Sequence, residues 1–308
     1  MISIIIPVYN SEKTIGCVVE KTISVIENYY KYEIILINDG SIDNSSQVCK
    51  NIVDKNSSIR LINLSKNFGQ HNAMLAGLRF VKGDYIIFLD DDLETKPDEI
   101  PKLLNKIQEG YDVVYANYEN KKNNFFRNIG TAINSLMSRL LLNKPKHVRT
   151  SSFFIIRKYL VKELIKYKGP YPYMSGLIFR TTNNIGVVYT KLGSRIHGSS
   201  NYNFKKLLSL WTNGFTNFSV KPLRISFFLG VLISIISFIL AIIFIIRKII
   251  NPEIFIGWTS IIVVLLFFSG IQLVVMGFIG EYIGRVFLSL NKQPQYIIKE
   301  IINYKKVD

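Results

Sequence analysis

Cysteine is scarce in this chain of 308 residues, which contains only Cys17 and Cys49. Two cysteines cannot build the disulfide framework of a small secreted domain, and their spacing does not match a zinc site. This scarcity suits a reducing compartment. Two nucleotide-binding patterns are also missing, because no GxGxxG follows the first apolar run and no GxxxxGK[ST] occurs. The motifs therefore support neither a dinucleotide-binding fold nor a P-loop.

Acidic residues are nearly missing from the middle third of the chain. Residues 1–119 contain 12 Lys and Arg and 17 Asp and Glu, whereas residues 120–224 contain 19 Lys and Arg and the single acid Glu163. A basic surface without special function would interleave acids with bases. The basic block, residues 120–224, therefore predicts an anionic partner, which could be nucleic acid, a membrane surface or a phosphate.

Charge is missing altogether from two long stretches, residues 225–246 and 254–280. Each is long enough to cross a bilayer as a helix, and the short connection between them predicts a hairpin. Lys and Arg are denser on its outer flanks than in the connection, so the positive-inside rule places both flanks in the cytoplasm. Residues 201–224 mix lysine with aromatic residues, which is typical of a helix in the headgroup layer. The basic block therefore faces a membrane, and we expect no nucleic acid partner.

Strand patterns alternate with helical patterns in the first 119 residues. Strands are predicted at 3–8, 33–38, 59–64, 84–89 and 112–116. Helices are predicted to be capped by Ser11 and Asp43, to run from about Gln70 to Val81, and to begin at Pro97. Continuous β-branched strands predict a parallel sheet covered on both faces. Ligands of such sheets bind beyond the carboxyl ends of the strands, where this chain has polar loops.

Three adjacent carboxylates, those of Asp90, Asp91 and Asp92, follow the fourth predicted strand. Like charges about 4 Å apart repel by about 1 kcal/mol even in water, so the run is either a solvated turn or a cation site. On an extended backbone Asp90, Asp92 and Glu94 point to one side, and Asp91 points to the other. Two such carboxylates can share Mg²⁺ or Mn²⁺ with a phosphate. Asp91 is then expected to satisfy backbone donors.

Together these segments resemble family 2 glycosyltransferases, and within them the polyprenyl-phosphate branch that includes bactoprenol glucosyltransferases and dolichol-phosphate mannose synthase. The matching segments are IIIPVYN, IILINDGSIDNS, NFGQHNAMLAGL, GDYIIFLDDDLETKPDEI, RIHGSSNY and GEYIGRVF. The resemblance implies an α/β chain with a GT-A catalytic domain, Rossmann-like with a mostly parallel sheet, and a carboxyl-terminal hairpin of two transmembrane helices. The expected boundaries are 1–200 for the catalytic domain, 201–224 for the amphipathic segment, 225–287 for the helices and 288–308 for a cytoplasmic tail.

The resemblance also implies roles for residues at the matching positions. A Mg²⁺ or Mn²⁺ cofactor is implied, with Asp92 and Arg195 serving catalysis. Nucleotide binding is implied for Pro7, Tyr9, Asp39 and Asp90, metal binding for Asp90, Asp92 and Glu94, and contact with the lipid phosphate for Arg127, Arg139, Arg195 and Ser200.

The chain departs from the family where the acceptor is expected to bind. The family's D-F-R-L reads S-S-F-F here, with Ser151 and Ser152. A sugar hydroxyl needs a general base to become a nucleophile, whereas a phosphate monoester is already anionic. Glu163 is the one carboxylate between Glu119 and Glu253, so the sequence favours a phosphate acceptor.

The predicted function is transfer of a hexose from a nucleotide sugar, expected to be a UDP-sugar, to undecaprenyl phosphate with inversion. The predicted location is the bacterial inner membrane, with the catalytic domain and both termini in the cytoplasm. Two alternatives stay open: transfer to a hydroxyl of a lipid-linked oligosaccharide, or a non-catalytic membrane component that binds these ligands. A homo-oligomer is also left open.

Overall fold

The computed structural model describes residues 1–118, 145, 148–169, 171–190, 257–291 and 294–303, together with part of the stretch 228–250. The chain clusters into two compact units. The first contains Met1–Gly214 and Lys292–Asp308, and the second contains Phe215–Asn291. The last residues of the chain thus belong to the same unit as the first.

The first unit contains one mixed sheet. Its strands are β1 (Ile2–Val8), β2 (Tyr32–Asn38), β3 (Ile59–Leu64), β4 (Tyr85–Phe88), β5 (Val113–Tyr118), β6 (Phe154–Arg157), β7 (Ile185–Thr190) and β8 (Ile298–Ile302). Among the described residues their order is β7-β5-β6-β4-β1-β2-β3-β8. The pairs β1–β2, β1–β4, β2–β3 and β5–β7 are parallel. β6 is antiparallel to β4 and β5, and β8 is antiparallel to β3. The sheet is therefore mostly parallel, as predicted.

Helices cover both faces of this sheet because its central strands are mostly apolar and buried. They are α1 (Ile15–Ile26), α2 (Ser45–Lys55), α3 (Gln70–Leu78), α4 (Ile100–Gln108), α5 (Lys158–Leu164) and α6 (Met174–Thr181). All seven residues of β1 are buried. Ile4 and Ile6 share a core cluster with residues of α1 and α4. On the other face Ile5 meets α3, where a Cβ added to Gly77 would lie 2.9 Å from the Ile5 Cγ2.

The five predicted strands are confirmed, with ends that differ by no more than two residues. The predicted side-chain cap of α1 is wrong. That helix begins after Thr14, and Ser11 contributes its backbone carbonyl, which accepts hydrogen bonds from Thr14 N and Ile15 N at 3.0 Å. Asp43 lies one residue before the N-cap of α2, but its carboxylate accepts the backbone N–H of Ser45 at 3.0 Å. α3 ends at Leu78, three residues earlier than predicted.

β8 has no counterpart among the predicted strands, since residues 288–308 read as a tail. The structure pairs Leu61 of β3 with Ile302. The Asn303 side chain donates to the backbone carbonyls of Ser57 and Ile59 at 2.9 and 2.6 Å. The carboxyl-terminal stretch therefore closes the β3 edge of the sheet.

The second unit contains α7 (Trp258–Leu290), a helix of 33 residues. Its stretch Phe267–Leu290 is long and apolar enough to cross a membrane, and it is the one such candidate in the described part of the chain. The described residues between 228 and 250 are also helical. The second apolar stretch ends at Gly280 in the sequence, but α7 continues through Glu281 to Leu290.

Candidate active site

The polar loops singled out in the sequence lie at one edge of the sheet. β1, β2, β3 and β4 run in the same direction, so their carboxyl ends share that edge. β6 begins there, because Phe154 pairs with Phe88 at the end of β4. The edge therefore collects the loops after four strands and the residues that precede a fifth.

Asp90 is held from two sides. The Gln70 side-chain amide donates to its Oδ1 at 2.9 Å, and the Ser152 hydroxyl donates to its Oδ2. Burial is the main reason that the pKa of Asp90 is raised to about 7. The charges of Asp92 and Asp91 act in the same direction, and the two hydrogen bonds oppose them.

Asp91 faces a different set of partners. Its Oδ2 accepts the backbone N–H of Tyr9 at 3.0 Å and the hydroxyl of Ser11. Burial raises the pKa of Asp91, and these hydrogen bonds partly offset the rise. The prediction that Asp91 satisfies backbone donors is confirmed. The side chain of Ser11, predicted as a helix cap, serves this carboxylate instead.

Asp92 begins a tight turn. Its Oδ1 accepts the backbone N–H of Glu94 at 3.0 Å, and Leu93 between them has a positive φ of 61°. β4 ends at Phe88, so the chain is no longer extended here. The side-to-side alternation used to align Glu94 with Asp90 does not continue through this turn.

Tyr118, at the end of β5, is a neighbour that the sequence did not suggest. Its hydroxyl is 3.2 Å from the Thr95 hydroxyl. Burial raises the pKa of Tyr118 to about 12, and the charges of Asp90, Glu94 and Asp92 add to the rise. A protonated phenol therefore lies beside the carboxylate cluster.

Asp39 is buried, with 3% of its surface exposed. Its two oxygens accept the backbone N–H groups of Phe68 at 2.7 Å and Gly69 at 2.8 Å. Burial raises its pKa, and these two bonds oppose the rise. Gly40 has a φ of +64°, and an added Cβ would lie 2.3 Å from the Lys66 carbonyl carbon. The Asp-Gly pair therefore fixes the loop that leads into α3.

Tyr9 and Pro7 come from β1 and the loop after it. Tyr9 is 41% exposed at the edge, whereas Pro7 is buried. The pairing of β1 with β4 ends at Ile5, so the missing N–H of Pro7 costs that pair no hydrogen bond. Asn10 joins the loops after β1 and β2, since its N–H donates to Ser41 Oγ at 3.1 Å and its Oδ1 accepts from Ile42 N at 3.0 Å.

A series of hydrogen-bonded asparagine side chains connects β8 to the same edge. Asn63 Nδ2 donates to Glu300 Oε2 at 3.0 Å, and Asn38 Nδ2 donates to Asn63 Oδ1 at 2.9 Å. Asn38 Oδ1 in turn accepts the N–H of Ser41 at 3.2 Å. The carboxyl-terminal strand therefore supports the loop that contains Asp39.

Other predicted residues lie outside the described part of the chain: Arg127, Arg139, Arg195 and Ser200. His71, which the sequence left without a role, packs edge-on against Tyr173 at 5.4 Å. Burial lowers the pKa of His71 to about 4, so this imidazole is neutral.

The carboxylates at this edge suit a divalent cation whose remaining ligands come from the substrate and from water. Among the described residues no group of three or more His, Cys, Asp or Glu forms a metal cage. Mg²⁺ and Mn²⁺ in nucleotide sites need only one or two carboxylates, because phosphates and water supply the other ligands. Asp90 and Asp92 meet that requirement.

The mostly parallel sheet, with its polar loops at one edge, has a GT-A-like α/β fold. Residues 3–165 match the family model described as glycosyl transferase family 2. The chain therefore belongs to glycosyltransferase family 2, and the resemblance drawn from its motifs is confirmed.

Relatives match over almost the whole chain. The undecaprenyl-phosphate 4-deoxy-4-formamido-L-arabinose transferase of Proteus mirabilis is 31% identical over 99% of this chain and 95% of its own. An uncharacterised glycosyltransferase of Bacillus subtilis is 33% identical over 97% and 93%. A structure of Mycobacterium tuberculosis glucosyl-3-phosphoglycerate synthase in complex with Mn²⁺ and UDP-glucose has a TM-score of 0.52 and 19% identity over 69% of this chain and 75% of its own.

Proposed function

We propose that this protein is a membrane-anchored, inverting glycosyltransferase that moves a hexose from a UDP-sugar to undecaprenyl phosphate. The observation that carries the proposal is the match, over nearly the full length, to transferases named for undecaprenyl phosphate. The sheet edge that collects Asp39, Asp90 and Asp92 supports it, since ligands of such sheets bind there.

The donor is held at this edge. Pro7, Tyr9 and Asp39 line the nucleoside side, and Asp90 and Asp92 would hold Mg²⁺ or Mn²⁺ against the diphosphate. The metal supplies stabilisation of the charge that develops on the leaving diphosphate. A structural neighbour that binds UDP-glucose with Mn²⁺ supports this choice. Glu94, beyond the turn at Leu93, is proposed as a further ligand.

The acceptor is proposed to be a phosphate because no suitable base is at hand in the described part of the basic block. Glu163 lies on α5, which begins where β6 ends, opposite Tyr85 at the start of β4. That is the other edge of the sheet. Glu163 is also exposed and pairs with Lys166 at 2.6 Å. Cations for an anionic acceptor are abundant, and Arg127, Arg139, Arg195 and Ser200 are proposed to contact its phosphate.

In the proposed reaction a phosphate oxygen of the lipid attacks the anomeric carbon. A bond forms between that oxygen and carbon, and the bond from the carbon to the nucleoside diphosphate breaks on the opposite face. No proton has to be removed from the nucleophile, because a phosphate monoester is largely ionised at pH 7. Arg195 would stabilise the departing charge together with the cation held at Asp92.

Membrane anchoring is proposed to use residues 225–287 as two helices, with residues 201–224 in the headgroup layer and the catalytic domain, 1–200, in the cytoplasm. The candidate span in α7 supports the second helix. A helix of 33 residues is about 50 Å long, which exceeds the hydrocarbon thickness of about 30 Å. The terminal turns of α7 would therefore extend into the interface.

The proposal is tested by incubating membranes that contain the protein with undecaprenyl phosphate and a panel of nucleotide sugars. A UDP-hexose should yield a lipid-linked sugar, EDTA should abolish its formation, and added Mn²⁺ or Mg²⁺ should restore it. No product with any donor would contradict the proposed function.

Asp92→Asn should lower transfer about 100-fold or more, since it removes one of the two carboxylates proposed to hold the cation that stabilises the leaving diphosphate. The matched control is Asp98→Asn, an exposed carboxylate six residues further along. Both variants should insert into membranes normally. Full activity of Asp92→Asn would contradict the metal assignment.

A further inference from the structure

The start of α3 is anchored on the carboxylate of Asp39. Asp39 accepts the N–H groups of Phe68 and Gly69, and Gly69 has a φ of 90° that turns the chain into the helix. The next residue is Gln70, whose side chain donates to Asp90 Oδ1 at 2.9 Å. Two carboxylates of the site, Asp39 and Asp90, are thus connected through one short segment.

The other partner of Asp90 is fixed by packing. Ser152 precedes β6, and Phe154 in that strand stacks on Phe88 of β4 with ring centroids 4.4 Å apart. Phe153 and Phe154 are buried, so this stretch has little freedom to move. The Ser152 hydroxyl therefore meets Asp90 Oδ2 from a rigid element.

We infer that Gln70 and Ser152 are positioning residues that orient the Asp90 carboxylate for the divalent cation. The inference rests on the proposed function, and it deepens the account of the same site. In this chain the second serine of S-S-F-F contacts the carboxylate cluster.

The hydrogen bonds to Asp90 leave lone pairs on its oxygens for a metal. Each carboxylate oxygen can accept two hydrogen bonds or ligand bonds, and among the described residues each oxygen of Asp90 has one protein donor. Donors on both oxygens fix the rotation of the carboxylate plane. Without them, repulsion from the neighbouring carboxylates would turn Asp90 away from the shared site. Partners that orient a metal ligand commonly affect metal affinity or activity by about 10- to 100-fold.

The test compares Ser152→Ala with Ser151→Ala. The control is the same change at the adjacent serine, whose hydroxyl donates to the Phe153 backbone carbonyl at 2.8 Å. The Kd for Mn²⁺ is measured by electron paramagnetic resonance on the full-length protein with saturating UDP. Ser152→Ala should raise this Kd about tenfold, Ser151→Ala should leave it unchanged, and Ser152→Thr, which keeps the hydroxyl, should restore it.

Gln70→Met gives an independent test, since it preserves the length of the side chain and removes the donor. It should raise the Kd for Mn²⁺ about tenfold, whereas Gln47→Met on the exposed face of α2 should not. If Ser152→Ala does not fold, the comparison of Gln70→Met with Gln47→Met tests the inference by itself. The activity of both positioning variants should recover at high Mn²⁺ concentration, which a general folding defect would not allow.

Two results are distinguishable. Wild-type protein that binds Mn²⁺ with UDP, while Ser152→Ala and Gln70→Met bind it equally well, overturns the inference alone. Wild-type protein that binds no Mn²⁺ in the presence of UDP overturns the proposed metal site and the inference with it.

Discussion

At the scale of single residues, the three adjacent aspartates have separate tasks. Asp91 secures the loop after β1 through Tyr9 and Ser11. Asp90 faces α3 and the start of β6, and Asp92 closes a turn with Glu94. Hydrogen bonds from different elements to the three carboxylates therefore offset part of the repulsion expected among them. At Asp90 the hydrogen bonds do not fully offset the cost of burying a charge, so the pKa of this carboxyl stays raised.

Asp90→Asn should stabilise the metal-free protein at neutral pH while abolishing transfer. The raised pKa means that the folded protein binds this proton more tightly than the unfolded chain does. The contribution of Asp90 to stability therefore falls as pH rises from about 4 to about 7. Asparagine carries no charge, so the variant should lack this loss.

The check is the unfolding temperature in EDTA at pH 5 and pH 8. The difference between Asp90→Asn and wild type should be larger at pH 8. Asp54→Asn, an exposed carboxylate on α2, should show no such pH-dependent gain. A variant that is less stable than wild type at pH 8 would contradict the burial argument.

The separate roles of Asp90 and Asp91 could be predicted from the local sequence, although both residues lie beyond the end of β4 at Phe88. The roles of Gln70, Ser152 and Tyr118 could not. Their contacts depend on which strands are neighbours, and the pairing of β6 with β4 and β5 is antiparallel. For Ser152 the sequence did offer a signal, since two polar residues, Ser151 and Ser152, stand directly before an apolar run.

At the scale of elements, β6, β7 and β8 have no counterpart among the predicted strands, and β8 is the one farthest along the chain from its partner. Five residues that follow a long apolar helix read as a tail, because a short edge strand needs its partner to define it. In the structure β8 covers the edge of β3, and Glu300 reaches Asn63 and Lys50. An uncovered edge would expose unpaired backbone groups.

Truncation after Asn291 should therefore lower the unfolding temperature by about 5 °C or more and promote aggregation. It should also weaken UDP binding, since the amide chain from Glu300 to the loop at Asp39 is lost. Truncation after Asn303 keeps the strand and serves as the control. Equal unfolding temperatures for the two truncated proteins, measured in the same detergent, would show that β8 does not stabilise the sheet.

At the scale of the whole molecule, the sign of charge is divided along the chain. The first 119 residues are acidic in balance and supply the carboxylates at the sheet edge, while residues 120–224 are strongly basic. Two anions are needed in the proposed reaction, a nucleotide diphosphate and a lipid phosphate. The carboxylates suit the first through a cation, and the basic block suits the second directly.

Family and fold class followed from the sequence because several short motifs occur in a fixed order over nearly the entire chain. The acceptor could not be read in the same way. Its proposed contacts, Arg127, Arg139, Arg195 and Ser200, come from the family pattern, and the chain departs from that pattern at S-S-F-F. The nature of the acceptor is therefore the central claim to test.

The most direct measurement is the acid lability of the lipid-linked product. The protein is incubated with a labelled UDP-hexose and undecaprenyl phosphate. In a parallel reaction a lipid-linked oligosaccharide replaces undecaprenyl phosphate. The extracted product of each reaction is treated with mild acid. The account predicts product with undecaprenyl phosphate and rapid release of the hexose, because the new bond is a glycosyl phosphate. A product formed only on the oligosaccharide, with a linkage that survives mild acid, would contradict it.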